Sequence, residues 1–475
     1  MSRSIKKPLL IWFISGLTLI LAIAIVSYAG NTYSSYRDNY WLRPIVFIFL
    51  VLMLVIVLLE IIISKYIPIG ISPFRLIFCP SVMFLLFILV IIIMGSLSFY
   101  FIKLYFPLVS SADISIGVKY YMLVIAVSFF GYIFCSSLNK GSRKIRYLTS
   151  YQWRWHSLRN FIFLIFVLVL LGHILIVKKI GFIPALRKGT GLYFLRYQGS
   201  ELGFLDKFIK LAPFVVMMSG NYLIVKKHDL VMKLVFIVSA FMTFFTSARM
   251  YFVLPILVLF MIYTRKNERL SISRVSILGV ILVFTIIIGY RVWLSRMNEP
   301  DESMLPGYLS IFQSSPNVEF ADFCRLIERT NIYGFSDNGV SVIFKSITAP
   351  MLPRQIWKLL GIDKDSRMIE HAYTIWDIIE GETNRLRVGS YGEVYLFSGF
   401  SGLIIMCIIV GALLRLCDTS FLKSSTSSCI SIFIAFISTM LMFLPCIQLY
   451  LFFDYFVLYT FLFALAFIFC GMKVL

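Results

Sequence analysis

Two charged residues stand where charge is costly. Arg249 follows the polar break Thr246-Ser247-Ala248 in an otherwise apolar stretch, and Glu393 lies at the start of an apolar run. On insertion scales a charge at the centre of a membrane helix costs about 2.5–3.5 kcal/mol, so each is expected to have a partner or a task. The plainer alternatives are snorkelling of the Arg249 side chain to the interface and, for Glu393, capping of the positive end of its own helix. A third feature is the segment KKIGFIPALRKGTGLYFLRYQGSELGFLDK, which with Lys210 holds Lys178, Lys179, Arg187, Lys188, Arg196 and Lys207 against Glu201 and Asp206. Arginine presents a planar fork of donors that matches phosphate oxygens, so such a segment suits an anionic ligand or, more simply, lipid headgroups. Gly189, Gly191 and Gly199 would let a ligand approach the backbone.

Arg385 and Arg387 precede Glu393 in RLRVGSYGEVYLFSGFSG. Upstream, Asn317 to Thr330 places Phe320, Phe323 and Leu326 at spacings of three, which predicts a helix within a folded cap rather than a tether. His156, His173, His228 and His371 are scattered without a metal-binding spacing, and the eight cysteines form no CxxC pair. No phosphate-binding loop, GxSxG elbow or dinucleotide fingerprint is present, so neither a metal nor a cofactor is expected.

The elements that must position these residues follow from composition. Of 475 residues, 60% are hydrophobic and 14% charged, with mean hydropathy +0.91. A spanning helix needs roughly 20 apolar residues, and the chain offers twelve candidates: 9–29, 44–63, 76–101, 120–137, 160–177, 211–225, 230–247, 249–263, 275–290, 391–414, 427–447 and 452–471. Residues 230–263 as one helix would measure about 51 Å, too long for the bilayer, so the run is divided at residues 246–249. The first run is read as a retained helix because it exceeds the apolar core of a signal peptide.

The expected fold is therefore an all-α polytopic membrane protein of about twelve helices. Residues 1–290 hold the first nine spans with the basic segment at 178–210, residues 291–390 form a large extracytoplasmic loop, and residues 391–475 hold the last three spans. The net charge of +21 follows the loops and does not imply nucleic acid. With both termini cytoplasmic, inside loops carry about 21 Lys and Arg against about five in the short outside loops.

This order of features resembles the Wzy-type polymerases of O-antigen and related oligosaccharide repeat units. The resemblance rests on IGFIPALR (Ile180 to Arg187), FTSAR (Phe245 to Arg249) and GSYGEVYLFSGFSG (Gly389 to Gly402), taken with helix number and loop placement. The spacing from Arg187 to Gly199 is one residue longer than the arginine-to-glycine spacing of some members, so only basic residues of that segment are carried over. The resemblance implies a GT-C-like fold and a metal-independent glycosyltransferase in a bacterial inner membrane, acting at the periplasmic face on glycans linked to undecaprenyl pyrophosphate.

An acceptor hydroxyl would then attack the anomeric carbon of the growing chain and release the lipid pyrophosphate. Arg249, Arg187, Lys188, Arg196, Arg291, Arg385 and Arg387 would bind or stabilise that leaving group. Glu393 or Asp322 would assist deprotonation of the acceptor, with His371 a third option. A chain-length regulator and a flippase are implied as partners. The competing readings are an O-antigen ligase, which shares the donor, and a lipid-linked oligosaccharide flippase, for which related halves or interrupted helices would be expected.

Overall fold

Helices dominate because a backbone in hydrocarbon must satisfy its own polar groups. The computed structural model describes residues 79–102, 111–138, 151–181, 205–245, 249–266, 389–423, 428–447 and 449–473, with scattered positions between 323 and 348. In chain order these form α1 (Pro80–Ile102), α2 (Ser111–Leu138), β1 (Tyr151–Trp153), α3 (Trp155–Ile180), α4 (Leu205–Val225), α5 (Leu230–Phe245), α6 (Arg249–Lys266), α7 (Gly389–Lys423), α8 (Cys429–Phe443), α9 (Leu449–Cys470) and β2 (Gly471–Lys473). Among the described residues, six helices are long and apolar enough to cross a membrane, and three apolar stretches, in α1, α5 and α6, are shorter. Rows of large apolar side chains face outward, including Leu164, Leu171 and Leu175 on α3, Leu234, Ile237 and Phe241 on α5, and Ile405 and Ile409 on α7. Such rows would be untenable in water, and they mark a bilayer-embedded chain.

Three of the expected spans, 9–29, 44–63 and 275–290, lie outside the described residues. Helix α5 is described to Phe245 and α6 from Arg249; the division expected at residues 246–249 falls largely on residues 246–248, outside the described residues. One boundary differs. The expected span 391–414 continues as helix to Lys423, which brings Arg415 and Asp418 into the helix instead of leaving them in a loop.

The chain alternates between two ends. At one, β1 pairs antiparallel with β2, Tyr151 opposite Lys473, and Gln152 bridges to Ser428 at the start of α8. The short link between α4 and α5 lies at this ribbon end, where Asp229 accepts the Met232 amide as a cap on α5 and pairs with Arg159 at 3.0 Å. At the opposite end lie the starts of α4, α7 and α9 and the turn Leu444–Cys446. Helices α2 and α7 make the closest packing: an added Cβ on Gly131 would strike the Ile408 backbone, and one on Gly411 would strike the Ser128 carbonyl. Small residues permit this approach where lipid offers no hydrophobic drive for association. All eight cysteines are free thiols.

Candidate functional site at the loop-bearing end

The end opposite the ribbon receives the basic segment at α4, the large loop at α7 and the α5–α6 junction that carries Arg249. Here the first turn of α7 is fastened to the α8–α9 link. Gly389, at φ 63°, lies against the Pro445 carbonyl, where a side chain would collide. Ser390 donates its hydroxyl to the Ile447 carbonyl at 2.5 Å. Glu393, 1% exposed, accepts the Leu449 amide at 2.6 Å. Its carboxylate therefore caps α9, a different helix from its own, supplying one of the partners that the first amides of a helix lack. This geometry gives Glu393 a positioning role.

One turn further along α9, Asp454 forms an ion pair with Lys210 of α4 at 2.6 Å. The two side chains are 10% and 3% exposed, and the ammonium sits 5.8 Å from the centre of the Tyr455 ring. Pro213 has no amide and loosens this turn of α4. The Lys210 carbonyl accepts the Tyr459 hydroxyl at 2.7 Å, so the ammonium and the carbonyl of Lys210 both engage α9. Phe214 and Phe436 pack on Tyr459 and Phe463 beneath the pair.

Described positions of the segment 291–390 reach the bundle. Within the expected helix Asn317 to Thr330 the described positions are Phe323, Cys324, Leu326, Ile327 and Thr330, which are helical and buried; the rest of that stretch lies outside the described residues. The Phe323 ring meets Tyr121 at 5.0 Å and Tyr120 at 6.4 Å edge-on, and Cys324 occupies the space left by Gly117. Tyr120 also shares a 3.1 Å hydrogen bond with the Tyr395 hydroxyl of α7. The loop helix is thus seated on α2 beside the first turns of α7.

A second polar cluster joins α7 to α1 and α2. Asp418, 3% exposed, accepts the Ser81 amide at 3.1 Å, the Ser81 hydroxyl at 2.5 Å and the Tyr132 hydroxyl at 2.9 Å. Arg415 donates to the same Tyr132 hydroxyl at 3.1 Å and lies 5.2 Å from its ring centre. Asp418 thereby caps α1 as Glu393 caps α9.

Of the site residues expected from sequence, Glu393 is placed at the loop-bearing end, and Arg249 is the first residue of α6 there, with its side chain outside the described residues. Asp322, Arg187, Lys188, Arg196, Arg291, Arg385, Arg387 and His371 also lie outside the described residues. Sequence reasoning counted Lys210 among loop charges and passed over Asp454 and Asp418. The available signal was an isolated acid within an apolar run, LYLFFDYFVLY around Asp454, which calls for a partner. No family model, characterised protein or solved structure matches this chain.

Proposed function

We propose that this membrane protein polymerises oligosaccharide repeat units carried on undecaprenyl pyrophosphate, by glycosyl transfer at the loop-bearing end. What supports the reading is that α4 and α7, which follow the basic segment 178–210 and the segment 291–390, both begin at this one end, where α6 begins with Arg249 and Phe323 and Cys324 pack on α2. A pyrophosphate leaving group needs preorganised cations in a partly desolvated setting, and the segments that enter here together with Arg249 carry 11 of the chain's 23 arginines. In this reading Arg249, with Arg187, Lys188, Arg196, Arg291, Arg385 and Arg387, offsets the charge on the departing pyrophosphate. Asp322 takes the proton of the acceptor hydroxyl, and Glu393 holds the α9 end in place.

A flippase is the second reading, because α7 is interrupted at Gly399 and interrupted helices are frequent in transporters. Deletion of the gene in its native host, with envelope glycolipids resolved by gel and mass spectrometry, separates the readings. A polymerase leaves glycolipids with a single repeat. A ligase leaves polymer stranded on its carrier, and a flippase leaves untranslocated repeats inside. Arg249→Ala should abolish chain growth at unchanged membrane abundance, and normal polymer length would remove Arg249 from the mechanism.

A further inference from the structure

Helix α7 carries a carboxylate toward each of its ends, and each carboxylate caps a different helix. Glu393 holds the start of α9 and Asp418 the start of α1. Between them Gly399 adopts φ 63° and ψ −159°, a backbone region essentially confined to glycine. The surrounding sequence, Ser398-Gly399-Phe400-Ser401-Gly402, is built for this break. Ser398 donates its hydroxyl to the Val394 carbonyl at 2.6 Å and Ser401 to the Ser398 carbonyl at 3.2 Å, bonds of the kind that bend helices. Gly402 leaves room for the Ser398 hydroxyl.

The two pieces on either side are anchored differently. The piece from 400 onward is fixed to α2 by the Gly131 and Gly411 contacts and to α1 and α2 by Asp418. The piece 389–398 is tied to the α8–α9 link by Gly389, Ser390 and Glu393. Tyr120 of α2 lies at the crease and touches both pieces, its ring 5.1 Å from Tyr395 and 6.2 Å from Phe400. Only the Tyr395 side of this contact includes a hydrogen bond to Tyr120. Phe400 and Ser401 are exposed at the outer side of the crease.

We propose that α7 is hinged at Gly399, and that its 389–398 piece, moving together with the α8–α9 link to which it is tied, swings away from Tyr120 to open a seam between α2 and α7 at the loop-bearing end. The bent helix is the closed state, and straightening opens it. Hinges of this kind place the φ/ψ change on one or two residues while packed pieces move as bodies. Because the crease faces outward among apolar residues, the seam admits a lipid-borne substrate from the bilayer; this last step rests on the proposed polymerase function, whereas the hinge does not.

The test reads the hinge without substrate. Full-length protein in lipid nanodiscs carries Tyr395→Cys and is treated with a water-soluble maleimide, with labelling followed at the peptide level. A thiol from Ile432→Cys, at a fully buried site in α8, is the static control. The Tyr395→Cys thiol is expected to label at least tenfold faster than the control. Gly399→Ala penalises the bent state and should raise the rate at least fivefold more. Equal rates for the two thiols, or no change with Gly399→Ala in monodisperse protein, overturn the hinge. Should Gly399→Ala fail to fold, Phe397→Cys, 4% exposed on the same piece, serves as the probe. Combined with Tyr120→Phe, which removes the hydrogen bond across the seam, it should label two- to tenfold faster, and an unchanged rate again overturns the hinge. Bridging Tyr120→Cys to Tyr395→Cys with a short bis-thiol reagent should then stop chain growth. Persistent growth with complete bridging overturns the seam as substrate entry, while loss of the polymerase reading itself would appear only in the glycolipid profile of the deletion strain.

Discussion

Breaking the Lys210–Asp454 pair by Asp454→Asn should destabilise the protein by about 3–5 kcal/mol, the range for removing one partner of a buried ion pair. The high end applies because the ammonium is 10% exposed, its partner 3%, and their separation is 2.6 Å. The Tyr455 ring beside the ammonium adds only about 0.5–2 kcal/mol to holding it. Lys210→Met, which removes the other member of the pair, should cost a similar amount. The double variant Lys210→Met/Asp454→Leu replaces two charges with apolar volume and should lie within about 2 kcal/mol of the parent, since such replacements are often neutral. The singles would sum to about 6–10 kcal/mol if independent, so the cycle predicts a coupling of at least about 4 kcal/mol. The assay is reversible unfolding of the detergent-solubilised protein followed by tryptophan fluorescence, with membrane abundance as a check. Additive single effects, or single variants as stable as the parent, would refute the assignment of this pair as the fastening between α4 and α9.

The caps make separate predictions. Glu393→Gln keeps an acceptor for the Leu449 amide and should retain chain growth within about threefold, whereas Glu393→Ala strands that amide and should lower membrane abundance; loss of growth with Gln at full abundance would instead make Glu393 the base. Asp418→Ala removes the acceptor for the Ser81 amide and for two hydroxyls and should cost about 2–4 kcal/mol, while Ser81→Ala loses one hydroxyl bond and should cost about 1 kcal/mol, both measured by the same unfolding assay. Gly411→Leu forces α2 and α7 apart and should abolish folded protein on size-exclusion chromatography; Gly402→Ala, whose added Cβ would strike the Ser398 Cβ as well as its hydroxyl, forces the 398–402 turn to shift and should lower the yield of folded protein.

The helices of this protein are legible in its sequence because hydrocarbon leaves the backbone few alternatives. Apolar runs of sufficient length become helices, as those from Trp155, Leu205 and Leu449 do. The loop helix around Phe323 is legible for a related reason: aromatic and aliphatic residues at spacings of three and four form one face that must be buried. Partners are a different matter. Asp454 and Lys210 are 244 positions apart, and Asp418 and Ser81 are 337 apart. An isolated acid in an apolar run signals only that a partner is required, while its identity depends on which helices pack side by side. The glycines show the same division. Gly399, Gly402 and Gly411 read alike as small residues suited to close packing, yet one breaks the helix, one accommodates a serine within it and one meets α2. Local chemistry determined where this chain forms helices and which side chains could not remain alone; the packing of those helices, which sums contacts across the whole chain, decided what each of those side chains holds.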